Sequence, residues 1–171
     1  MTQGKNEILV LGLGNDIMGD DAAGLIAVRK LQEIHGDAVD MFEVATAGFG
    51  LMDILEGYKK VLILDTMISD TGSHGEIKEL SKVNLTKCST ISPHYVGLPE
   101  LMTLAKKLDI SFPEEVKILV LEINEHGVIR EGLSDDIQKS VPLFVEKASG
   151  ILNEWLKPEL RYVSNGLGAM V

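Results

Sequence analysis

The chain has almost no cysteine, little positive charge and no long apolar run. Cys88 is the single cysteine in 171 residues, so neither an internal disulfide nor a thiolate metal cluster can form. Such sparse cysteine fits a reducing compartment, and a cytoplasmic location is expected. Sixteen Lys and Arg stand against 26 Asp and Glu, a formal net charge of −10. Nucleic-acid binding needs a basic stripe that this balance does not supply. No segment reaches the roughly 20 apolar residues of a membrane span, and the opening MTQGKNE lacks the pattern of a secretory signal. A monomer free of the membrane is therefore expected. Repeats, low-complexity stretches and domain-dividing linkers are also missing. Residues 1–171 read as a single domain, with 158–171 as a tail.

What is present is an alternation of strand and helix patterns. Ile8-Leu9-Val10-Leu11 is an unbroken run rich in branched residues, as in a parallel strand buried on both faces. It breaks at Gly12-Leu13-Gly14-Asn15, where glycine permits a sharp turn and close approach to the backbone. Asp20 and Asp21 follow at a helix start, and Leu25, Val28, Leu31 and Ile34 then recur at helical spacing up to His35-Gly36. Val39–Val44 predicts a second strand, and Leu51–Leu55 a short helix closed by Gly57. Val61-Leu62-Ile63-Leu64 predicts a central strand ending at Asp65-Thr66. Glu76–Leu80 alternates as an edge strand would. A helix over Leu98–Leu108, a strand over Val116–Ile123 and a long helix starting at Ser134 complete the order. Ser134 is a favourable cap with Asp135 and Asp136 in the first turn, and Pro142 predicts a kink or break. The alternation implies a three-layer α/β/α fold around a five-stranded, mainly parallel sheet with one antiparallel edge.

Nucleotide motifs fail on inspection. Gly12-Leu13-Gly14 opens like a dinucleotide fingerprint, but Ile17 occupies the third glycine position. There is no Walker pattern, and no serine carries the flanking glycines of a nucleophile elbow. Polar residues at predicted strand ends remain: Asp20, Asp21, Asp65, and His94 in Ser92-Pro93-His94. Two carboxylates and an imidazole suit a first-row divalent metal, and three protein ligands leave positions open for water or a partner's groups. Each also has an ordinary structural alternative. The paired acids suit a helix start, Asp65 a strand-end backbone contact, and His94 a loop position. His35, His74, His126 and Cys88 sit in less suggestive surroundings.

Taken together, Gly12-Leu13-Gly14-Asn15, Asp20-Asp21 with Gly24, Thr46-Ala47-Gly48, Asp65, Ser92-Pro93-His94 with Gly97-Leu98, and Gly132-Leu133-Ser134 form a recognisable series. In this order it resembles the hydrogenase maturation endopeptidases, which trim the carboxyl-terminal tail from the large subunit of nickel-iron hydrogenases. The likeness runs from Ile8 to Ser134. It implies a phosphorylase/hydrolase-like three-layer fold and a substrate that is the large-subunit precursor. It also implies metal ligation by Asp21, Asp65 and His94, with nickel brought by the substrate and recognised there. Asp21 or Asp65 would then stand beside the attacking water, as in an aspartyl endopeptidase. Aspartate at position 21, where some members carry glutamate, reaches one methylene less far. Ala22 replaces a frequent glycine. The alternative reading is a nickel-holding accessory module without peptidase activity.

Overall fold

A computed structural model describes residues 6–45, 48–68, 73–80, 98–124 and 129–157. Strand β1 (Ile8–Leu13) leads through a 3-10 turn (Gly19–Ala22) into helix α1 (Ala23–His35), followed by β2 (Asp40–Val44). A second 3-10 turn (Gly48–Leu51) and the short α2 (Met52–Leu55) precede β3 (Lys60–Ile68) and β4 (Ile77–Leu80). Helix α3 (Leu98–Lys107), β5 (Glu115–Ile123) and α4 (Asp135–Leu156) follow. The sheet order is β2-β1-β3-β5-β4, parallel except for β4, which pairs antiparallel with β5. The predicted five-stranded mixed sheet with its antiparallel edge is the observed one.

Alternating side chains feed two cores, one on each face of the sheet. Val10, Leu62, Leu64 and Leu121 pack with Val28 and Leu31 of α1 and with Phe144, Ala148 and Leu152 of α4. Leu9, Leu11, Ile63 and Val120 pack on the other face with Leu51, Leu55 and Tyr58. The strands are apolar throughout because both faces are covered. From β1 the chain moves outward to β2, then returns to the opposite side of β1 to form β3. The carboxyl ends of β1 and β3 therefore flank a topological switch point, the usual place for a site in an open α/β sheet.

Three expectations change. Strand β3 does not end at Asp65; it continues to Ile68, because β5 pairs with it as far as Ile68↔Ile123. Strand β1 leaves the β3 ladder after Gly12↔Leu64, so only one edge of β3 remains paired at Asp65. Pro142 does not break α4, which is one helix of 22 residues. Burial of Ile137, Val141, Phe144, Val145 and Ala148 outweighs the lost hydrogen bond and steric cost of proline, about 3 kcal/mol. Ser134 occupies the amino-cap position, but its side chain makes no capping bond to α4. Its hydroxyl is instead donated to Asp20. No described helix is long and apolar enough to cross a membrane. The predicted tail, 158–171, lies outside the described residues.

Candidate active site

The turn after β1 is built by glycines that leave no room for a side chain. A Cβ at Gly24 would lie 2.4 Å from the Leu13 carbonyl oxygen and 2.6 Å from that of Leu64. At Gly14 it would lie 2.1 Å from the Asp21 carbonyl oxygen, and the φ of +147° is itself unfavourable for other residues. Helix α1 thus starts hard against the ends of β1 and β3, and Asp21 is delivered beside them. The glycines serve this close packing as well as the turn.

Asp21 is 6% exposed and Asp65 fully buried, unusual for carboxylates in an apolar sheet. Thr66, also buried, connects them. Its hydroxyl donates to Asp21 Oδ1 at 3.2 Å, and its backbone N–H donates to Asp65 Oδ1 at 2.7 Å. By strand alternation Thr66 shares the face of Leu62 and Leu64, under α1, whereas Asp65 shares the opposite face with Ile63 and Met67. The two acids therefore approach the carboxyl end of β3 from different layers and meet around one threonine. Thr66 was not among the expected site residues; its only signal was its place directly after Asp65. His94, Thr46 and Ala47 lie outside the described residues, as do His126 and Cys88.

Asp20 turns away from this pair. Its Oδ1 accepts from the Ser134 amide at 2.6 Å and from Arg130 Nη2 at 3.0 Å, and its Oδ2 accepts from the Ser134 hydroxyl at 2.9 Å. Its partners are 110 and 114 residues away, so it is not a cap on its own helix start. His35, the last residue of α1, shares a 2.9 Å hydrogen bond with Ser149 of α4. Burial there lowers its pKa from the ordinary 6.5.

Two grooves accompany these features. One of about 540 Å³ is lined by Asp20, His74, Asn124, Arg130, Ser134 and Asp135, next to the turn that carries Asp21. A larger one, about 1040 Å³, follows the outer strand β2 and includes Asp40, Phe42, Asp53 and Tyr58. Tyr58 donates its hydroxyl to Asp40 Oδ2 at 2.8 Å, and Asn6 also bonds this carboxylate. Burial first, and then Asp40, push the phenol well above its usual range. This larger groove contains none of the expected site residues. The buried carboxylates at the switch point, rather than cavity size, mark the candidate site. A pair of buried carboxylates can take up and return a proton, or donate oxygen ligands to a metal brought from outside.

Comparison with known proteins bears on this geometry. A family model described as hydrogenase maturation protease matches residues 26–151. The hydrogenase 2 maturation protease of Escherichia coli strain K12 is 30% identical over 134 residues, covering 76% of this chain and 77% of that protein. The fold of the E. coli hydrogenase maturating endopeptidase HybD superposes with a TM-score of 0.74 at 25% identity, covering 87% of this chain and 93% of that one. The nickel-iron hydrogenase maturation protease HybD of Thermococcus kodakarensis gives 0.66 at 28% identity, covering 85% and 98%.

Proposed function

Because the chain belongs to the hydrogenase maturation protease family, we propose that it removes the carboxyl-terminal extension of a nickel-iron hydrogenase large-subunit precursor after recognising the inserted nickel. The observation that carries this reading is the meeting of Asp21 and Asp65 around Thr66 at the switch point, in a chain of this family. Asp21, Asp65 and His94 are the residues proposed to recognise the metal. Nickel belongs to the substrate in this reading and supplies an electron-poor centre that oxygen and nitrogen donors can share with the precursor's own ligands.

Peptide hydrolysis then needs water to attack the scissile carbonyl while a base removes its proton. Asp21 or Asp65 takes that proton and returns it to the departing amine, so the carboxylate ends the cycle ionised. Thr66 fixes one oxygen of each acid, which limits their rotation and holds the remaining oxygens in a set direction. Metal recognition acts as a checkpoint, since a precursor without nickel presents nothing for these ligands to bind.

The test compares purified protein on nickel-loaded and nickel-free precursor by intact mass. Loss of the tail from the loaded form alone is expected. Alanine at Asp21, Asp65 or His94 is expected to lower processing at least about 100-fold while leaving the fold intact. Normal trimming by all three variants would remove these residues from the mechanism. Retained nickel binding without cleavage of either precursor would favour a metal-holding module instead.

A further inference from the structure

We propose that Asp20 is a positioning residue, holding the turn that carries Asp21 through a clamp to the start of α4. This rests on the reading of Asp21 given above. The two acids are adjacent in sequence but have different surroundings. Asp21 meets Thr66 in the interior, whereas the Asp20 carboxylate, with its side chain 14% exposed, is bound by Arg130 and Ser134.

The clamp has backbone strands as well as the carboxylate. Gly19 N–H donates to the Arg130 carbonyl at 3.0 Å, and Arg130 N–H donates to the Ile17 carbonyl at 3.2 Å. Asp21 N–H closes the turn by donating to the Met18 carbonyl at 3.1 Å. From inside, the Asp21 carbonyl oxygen rests where a side chain on Gly14 would have to go. The turn is therefore fixed between Gly14 on one side and residues 130–134 on the other. Three donors on one carboxylate make Asp20 the strongest of these outer ties.

A role confined to capping α4 does not account for this arrangement. Helix α4 is long, has a buried apolar face and carries Asp135 and Asp136 in its own first turn. Those acids already complement the helix dipole and would repel a further carboxylate, an effect that Arg130 offsets. The Gly19–Ala22 turn, like α4, has no side-chain capping bond, but it is only four residues long against the 22 of α4 and has far less packing of its own to hold it. Loss of Asp20 should therefore loosen the turn far more than the helix. Displacement of a reacting group by about 1 Å can cost about 100-fold in rate without loss of substrate binding.

The experiment uses the full chain with nickel-loaded precursor and the variants Asp20→Asn, Ser134→Ala and Asp21→Ala, with amide hydrogen exchange measured on the same proteins. Asp20→Asn is expected to lower kcat about 10- to 100-fold with KM within about threefold. Exchange at the amides of Asp21 and Ala22 is expected to quicken at least about tenfold, while Phe144–Leu152 keep their protection. Ser134→Ala, which leaves the amide and Arg130 ties in place, should give a smaller change of the same kind. Unchanged kcat in Asp20→Asn alongside an inactive Asp21→Ala would overturn the clamp alone. Normal processing by Asp21→Ala would overturn the reading of Asp21 and the clamp with it. Equal loss of protection along α4 would show a general structural role, and would also overturn it.

Discussion

The two ends of helix α1 use glycine in opposite ways. At the amino end, Gly24 is wedged between the carbonyls of Leu13 and Leu64, and Gly12 meets both Val28 and Gly24. At the carboxyl end, Gly36 has a φ of +55° with nothing within 4 Å of a Cβ placed there. The first end needs the absence of a side chain; the second needs only a positive φ, with a ψ of −131° that lies outside the left-handed helical well. The end beside Asp21 and Thr66 is thus held by close backbone contact. The far end, with Ile34 exposed and His35 bonded to Ser149, is joined to α4 more loosely. Rigidity is concentrated where the carboxylates must be placed.

The sharpest way to break this contrast is Gly24→Ala. Both opposing atoms are backbone oxygens, so β1, β3 or α1 must move, and we expect a loss of about 3 kcal/mol. Thermal unfolding should show a midpoint lower by roughly 6–12 °C, with processing reduced as well. Gly36→Ala should cost less, about 1–2 kcal/mol, since its penalty is conformational and no neighbouring atom has to move. Equal losses at the two positions would remove the distinction between the ends.

A weaker effect is expected from pH. The native pKa of His35 lies below its unfolded value of about 6.5, so the unfolded chain takes up the proton first as pH falls. Its contribution is complete above the unfolded pKa and is lost as pH drops toward the native one. Urea unfolding of the natural protein should show stability falling between pH 7.5 and 5 more steeply than in His35→Gln. Parallel curves would sever His35 from the pH response. The smallest change is Gly150→Ala, in the interior of α4 with no atom near a new Cβ, which should raise stability by up to about 1 kcal/mol.

Much of the fold was legible because burial imposes simple periods. Unbroken runs such as Val61–Leu64 marked strands covered on both faces, and the alternation over Glu76–Leu80 marked the antiparallel edge. Helix α1 was visible from Leu25, Val28 and Leu31, all of which are buried. Strand ends were less legible. Asp65 looks like a terminator beside Leu64, yet partner β5 carries the strand three residues further, to Ile68. Pro142 likewise signals a break on local grounds, and packing against the sheet overrides it.

At the site, residue type and order selected Asp21 and Asp65 but said nothing of Thr66 between them. The roles of the two neighbouring acids were equally hidden. Asp20 and Asp21 have the same chemistry and almost the same local sequence, and differ only in which distant groups reach them. The sequence by itself determined the layered α/β fold, the glycine turn and the acids at strand ends, because hydrophobic period and glycine's conformational freedom act over a few residues. Tertiary structure alone decided that Asp21 turns inward to Thr66 and Asp20 outward to Ser134. Hydrogen-bond partners 45 and 114 residues apart leave no periodic trace along the chain.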